Sequence, residues 1–217
     1  MNKSGARKYI IDKLKNSSAE EQVNNPVLSA IEPLYPDEVY NSEKDIPEII
    51  FANQLKLMAG KFVFAENIKE LQEQLYSIYI KEKWESIFCL DKKLIEVFES
   101  TEIKFTKKTQ DFDKMKAGIT SCEYLVARFG SVVVSSKQES GRRMNIFPPV
   151  HIVIAYSYQI VMEPEDALEK IRNKYKDNIP SLISVITGPS RTADIEKTLV
   201  MGAHGPKELY VFLVNDK

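Results

Sequence analysis

The run ITGPSRTADIEKTLVMGAHGP, residues 186–206, gathers hydroxyl, guanidinium, carboxylate and imidazole groups in one short span. Gly188 and Pro189 turn the chain, and Ser190 or Thr192 is placed to cap a helix reading TADIEKTLVM. Free backbone N–H groups at such a helix start attract anions. Arg191 adds a forked donor that suits a carboxylate or a phosphate, and Asp194 and Glu196 complete the polar cluster. A second glycine turn carries His204, Gly205 and Pro206, where an imidazole can act as acid, base or anion partner near neutral pH. The chemistry these residues suggest is anion binding. The expected site is one wall of a pocket formed by Gly188, Pro189, Ser190, Arg191, Thr192, Asp194, Glu196, His204 and Gly205, and no catalytic residue is assigned. The same residues also satisfy the simpler description of an ordinary capped helix.

Other candidates carry less. Arg142 and Arg143 follow Gly141 in a polar loop, Glu123 has no visible partner, and His151 sits in the β-rich run PPVHIVIAY, where a structural role fits best. Cys89 and Cys122 lack CxxC or CxxH spacing, so neither a disulfide framework nor a metal site is expected. No Walker A, GxGxxG, GxSxG or HExxH pattern occurs, which removes the commonest nucleotide, hydrolase and zinc-protease readings.

These residues need elements to hold them. Residues 1–44 read as an N-terminal helical arm or extension, and 45–217 as one α/β domain. A helix over about 45–58 stops before Gly60, and KFVFA alternates as a strand. NIKELQEQLYSIYIKEKW is an amphipathic helix capped by Asn67; SIFCL is a short strand, and DKKLIEVFES a short helix begun by Asp91. IKFTK, a charged turn DFDKMKAG, a short helix from about Thr120 to Gly130 and the strand SVVVS follow. Pro148 and Pro149 force PPVHIVIAYSYQIV to be extended, and 163–176 is a helix with Pro164 in its first turn. The closing elements are the strand LISVIT over 182–187, the helix after Thr192 and the strand ELYVFLV. Alternating strands and helices predict a mixed, mainly parallel sheet with helices on both faces. The 182–187 strand is expected at its centre, and the SVVVS and HIVIAYSYQIV strands antiparallel to each other.

The whole chain bounds the possibilities. With 217 residues, 43% of them hydrophobic, it can bury a sizeable core. Thirty basic against thirty-one acidic residues leave a formal charge of -1, so no global field recruits nucleic acid or an anionic membrane. No signal peptide or spanning segment is read, and a cytoplasmic location is expected.

The residues 186–206 resemble the C-terminal signature of the lactate-utilisation (LUD) domain family, in particular its LutC/YkgG group. AGITSCEYLVARFGSVVVSS and RRMNIFPPVHIVIAY resemble the family's middle section, so the similarity runs over about 60–215. The resemblance implies a NagB/RpiA/CoA-transferase-like fold and a role in oxidising L-lactate to pyruvate. It also implies a multi-protein system whose other subunits carry the iron–sulfur clusters, with no cofactor in this chain. With two cysteines, the chain cannot supply the four ligands such a cluster usually takes. Family members often carry an acidic triplet where this chain has Arg128, Phe129 and Gly130. Two other functions remain open: a stand-alone enzyme on a small acid, CoA thioester or phosphorylated substrate, and a non-catalytic ligand-binding or scaffold protein.

Overall fold

The computed structural model describes residues 12, 15, 46–107, 115–195, 198–202 and 204–215. The expected N-terminal arm lies almost wholly outside them, as do residues 111–114 of the charged turn. From the arm, the Lys15 ammonium pairs with Glu66 at 2.5 Å.

The last described strand organises the molecule. Glu208–Val214, ELYVFLV, is an unbroken apolar run after its first residue, as a strand buried on both faces requires. Leu209, Val211 and Leu213 face one core, and Tyr210, Phe212 and Val214 the other. Numbered in chain order, this strand is β12, and six parallel strands share its sheet in the order β1-β12-β7-β4-β2-β3. They are β1 (Lys61–Ala65), β2 (Ile87–Phe88), β3 (Phe105–Thr106), β4 (Ala117–Ser121), β7 (Val150–Tyr156) and β12.

Helices α2 (Ile68–Lys81) and α3 (Lys92–Val97) cover one face, burying Leu71, Leu75, Tyr79 and Leu94 against Ile119, Ile152, Ile154 and Phe212. Both begin where their caps dictate. Asn67 Oδ1 accepts from Glu70 N at 3.0 Å, and Asp91 Oδ1 from Lys93 N at 3.0 Å and Leu94 N at 3.3 Å. Each fully buried Leu, Ile or Phe on this face contributes about 1.5–3 kcal/mol.

The other face carries helix α1 (Pro47–Leu57) and a second sheet of four strands in the order β8-β5-β6-β9. These are β5 (Tyr124–Val126), β6 (Ser131–Ser135), β8 (Ile160–Val161) and β9 (Ile183–Ile186). Phe51, Leu55, Leu125, Val132 and Val134 meet Val153, Val211 and Leu213 in the core between the sheets. Helix α4 (Pro164–Tyr175) closes the far side of the second sheet with Ala167 and Ile171. The chain is therefore an α/β protein built on a parallel sheet, with helices on one face and a helix plus a mixed sheet on the other.

Four expectations change. LISVIT is an edge strand: among the described residues β9 pairs with β6 alone, and Val185 is 53% exposed. Its β-branched run looks the same on an edge as in a centre, and the central place belongs to β12. The expected helix after Thr192 is not formed: residues 191–195 and 198–201 pair as the strands β10 (Arg191–Ile195) and β11 (Thr198–Met201) of a hairpin, with Arg191 opposite Met201 and Thr192 opposite Val200. Thr192, Ile195, Thr198 and Val200 are β-branched, and cross-strand pairing overrides the weak helical spacing. The segment after Thr120 continues β4, then forms β5 and a 3-10 turn over Ala127–Phe129 that ends at Gly130. SVVVS and HIVIAYSYQIV do not pair, since β6 lies in the second sheet while β7 runs parallel to β12 and β4.

Candidate functional site

The hairpin brings the two glycine turns together. Ser190 N donates to Pro206 O at 2.8 Å and Gly202 N donates to Ser190 O at 2.9 Å. Gly205 lies so close that a Cβ there would stand 3.2 Å from Ser190 Cβ. A straight helix over 192–201 would have held His204 away from Ser190, whereas a hairpin returns the chain to its start. Gly188 and Pro189 are buried, Arg191 and His204 are exposed, and Thr192 and Asp194 lie within β10. Glu196 lies outside the described residues.

This turn pair differs from the expected helix start in two ways. No helix dipole points at it, because none follows. It also lies beside the amino ends of β12 and β7, where Lys207 N and Glu208 N donate to Pro149 O at 2.8 and 3.1 Å. Gly188 adopts φ +82°, and a Cβ there would collide with the Met58 carbonyl oxygen at the end of α1. The Arg191 guanidinium donates to that same carbonyl. One arm of the fork thus anchors the turn, on a residue that stays exposed.

A second polar constellation, unread in the sequence, begins at the C-terminal ends of β2 and β4. Asp91 Oδ2 accepts from Ser121 Oγ at 2.9 Å, and Ser121 Oγ accepts from Gln138 Nε2 at 3.2 Å. Gln138 Oε1 accepts from Ser135 N at 2.8 Å, and Ser135 Oγ donates to Glu123 Oε1 at 2.6 Å. Glu123 also accepts from Tyr175 OH at 2.7 Å and Lys174 Nζ at 2.8 Å. The residue that looked like a lone acid is the hub of this network. Burial works to raise its pKa, but bonds from Lys174, Ser135 and Tyr175 outweigh it and hold the carboxyl below the ordinary 4.5. Every bond in the chain has a partner, so the network is a clamp tying α3, β4, β6 and α4. Its signal was invisible because Lys174 and Tyr175 stand 51 and 52 residues from Glu123.

The remaining candidates fall into place. His151 is fully buried and shares a 2.8 Å hydrogen bond between its Nε2 and Thr120 Oγ1, while burial lowers its pKa to about 4. Arg142 and Arg143 are exposed. Arg128 donates through Nε to Glu163 at 2.6 Å, so this base pairs with the N-cap acid of α4. Both cysteines are buried and free; burial pushes the Cys89 thiol up to about 12 and the Cys122 thiol up as well. Among the described residues, no group of three or more His, Cys, Asp and Glu is placed to hold a metal ion. Nor is any helix among them long and apolar enough to cross a membrane.

An α/β molecule with a parallel six-stranded sheet and a paired-turn polar surface is a broad class, and the comparisons narrow it. The LUD domain family matches residues 3–214, and the chain belongs to that family. It is 34% identical over 125 residues to the lactate utilization protein C of Bacillus velezensis, covering 57% of this chain and 52% of that protein. It is 35% identical over 123 residues to the lactate utilization protein C of Bacillus subtilis, covering 56% and 51%. The chain spans about half the length of these curated relatives. A crystal structure of a DUF162 family protein from Deinococcus radiodurans shares the fold, with a TM-score of 0.57 and 15% identity over 76% of this chain and 94% of that one.

Proposed function

We propose that this protein is a LutC-like subunit of a cytoplasmic lactate-utilisation system that oxidises L-lactate to pyruvate. The observation that carries the reading is its 34–35% identity, over more than half of its length, to two lactate utilization C proteins. Oxidation of L-lactate releases two electrons and two protons. Iron–sulfur clusters in partner subunits would take up the electrons; the two cysteines of this chain cannot supply the four ligands such a cluster usually takes. Its own share is to hold the small carboxylate at the turn pair of Gly188, Pro189, Ser190, Arg191, Thr192 and Asp194 with His204 and Gly205. Arg191 supplies the charge-assisted donor, and Ser190 and His204 the neighbouring polar groups.

Calorimetric titration of the full chain with L-lactate, pyruvate, CoA and nucleotides tests this reading. The two small acids are expected to bind, and Arg191→Ala is expected to weaken them by about 1.5–3 kcal/mol. If neither acid binds, or if Arg191→Ala binds them as tightly as the wild type, the turn pair is not the site. Affinity capture from cells grown on L-lactate checks the partner half: recovery without any cysteine-rich iron–sulfur protein counts against it.

A further inference from the structure

The turn pair holds a second cation. Lys207 follows Pro206, whose carbonyl oxygen accepts from Ser190 N at 2.8 Å, and its own N–H donates to Pro149 O at 2.8 Å. Its backbone is therefore fixed on both sides, and packing places its side chain. A Cβ on Gly202, where φ is +77°, would collide with Lys207 Cγ and stand 3.2 Å from both Cδ and Cε. The stem thus lies across Gly202 for most of its length, in a space that only glycine leaves open.

Gly202 is also the residue opposite Ser190. Its N–H donates to Ser190 O at 2.9 Å, one step beyond the pairing of Arg191 with Met201. Directly opposed residues of an antiparallel pair project to the same side, with Cβ positions about 4.5–5.5 Å apart. The Lys207 stem therefore runs on the side to which Ser190 points. Gly205 borders the same spot, since a Cβ there would stand 3.6 Å from Ser190 Oγ. Lys207 stays exposed, and among the described residues no carboxylate pairs with it. The adjacent acid, Glu208, is engaged by Lys61 at 2.6 Å. Arg191 likewise bonds a carbonyl rather than an acid.

We propose that Lys207 is a second anion-binding cation of this site, holding the carboxylate of the small acid from the Gly202 side of Ser190 while Arg191 acts from the Gly188 side. The inference rests on the preceding reading of the turn pair as a carboxylate site. Arg191 reaches the same Met58 carbonyl that a Cβ on Gly188 would strike, which puts its guanidinium at the first glycine turn. Lys207 stands at the second. A carboxylate has two oxygens, each able to accept from a charged donor, and the Ser190 hydroxyl lies between the two turns. A stem held across Gly202 keeps its ammonium in place without a hydrogen bond to the protein, so little side-chain freedom is lost when the acid arrives.

The test is calorimetric titration of the full chain and of its Lys207→Met, Lys207→Arg, Lys69→Met and Arg191→Ala variants with L-lactate and pyruvate. Methionine keeps an apolar stem over Gly202 and removes the charge. Lys69 serves as the charge control: it lies in the first turn of α2, beyond the carboxyl end of β1, with a side chain 84% exposed and 3.9 Å from Glu73. Lys207→Met is expected to weaken both acids about fivefold at low salt, with an unchanged Tm, and the deficit to shrink in about 0.5 M NaCl. Lys207→Arg should hold both acids within about twofold of the wild type, and Lys69→Met should change nothing. Wild-type affinity in Lys207→Met, an equal loss in Lys69→Met, or a Lys207→Arg as weak as Lys207→Met overturns the proposal. In that event a loss in Arg191→Ala still supports the turn pair as a site with one cation. If neither acid binds the wild type, both readings fall. Should Lys207→Met not fold, Lys207→Gln is titrated in its place and judged by the same outcomes.

Discussion

Glu123→Gln keeps the size of the side chain and removes its charge. In the wild type the carboxylate receives hydrogen bonds from Ser135, Tyr175 and Lys174, at 2.6, 2.7 and 2.8 Å. Its side chain is 1% exposed, whereas that of Lys174 is 53% exposed. An amide in its place weakens the charge-assisted bonds and turns one N–H group towards donors, while Lys174 can return to water. The expected loss is about 2–4 kcal/mol, at the lower end of what breaking a buried ion pair costs. For a domain of this size that is a fall of roughly 4–16 °C in Tm. Urea unfolding followed by tryptophan fluorescence measures it, with unchanged m-value as the check on two-state behaviour. The pH dependence carries the sharper information. Because the folded-state pKa lies below the ordinary 4.5, the stabilisation is complete above that pH and is lost as pH falls through the folded value. The gap between wild type and variant should be equal at pH 7 and 5.5 and narrow below pH 4.5. A gap under about 1 kcal/mol, below the smallest loss expected for a buried charged acceptor, or one that persists unchanged to acid pH, refutes the account of Glu123 as an ionised hub.

Two further outcomes follow from the fold. Gly130→Ala should abolish or severely weaken folding, by more than about 3 kcal/mol in thermal denaturation. Gly130 has φ +59°, and a Cβ there would come within 2.6 Å of Gln54 C and Leu55 Cα in α1; near-wild-type stability would mean that α1 does not pack on this turn. His151, with its pKa lowered to about 4, stays neutral in the folded state while the unfolded chain takes up a proton below 6.5. Stability should therefore fall as pH drops from 6.5 towards 4, with a slope approaching about 1.4 kcal/mol per unit from this group, and His151→Gln should flatten that slope.

What the sequence disclosed was what chemistry settles locally. Asn67 and Asp91 cap the helices they precede because a side-chain oxygen reaches an N–H only two or three residues away. ELYVFLV is legible as a strand because its run is apolar after the first residue, although its inner place in the sheet is not. What escaped was decided between distant residues. Arg191 finds its partner at Met58, 133 residues away. The edge position of β9 depends on which neighbour β6 accepts, and the hairpin after Arg191 depends on pairing that helical spacing does not report. The register of β10 and β11 brings Ser190 beside Gly205, a neighbourhood that the spacing along the chain does not report. Asn145, in a polar loop, reads as solvated, yet it is 7% exposed in a segment whose neighbours Ile146 and Phe147 are exposed.

The position of β12 governs how the protein can be made. Its neighbours β1 and β7 do not touch each other, and the gap between them is filled only by residues 208–214. A chain leaving the ribosome N-terminus first has synthesised β1, β2, β3, β4 and β7 and still cannot close the sheet. Lys61 waits for Glu208, 147 residues later, before the ion pair at the start of β1 can form. Closure of this sheet thus waits for β12, however early its other strands are made. The nascent chain meanwhile displays two open strand edges on a half-built apolar core, the kind of surface that chaperones hold and that aggregates nucleate on.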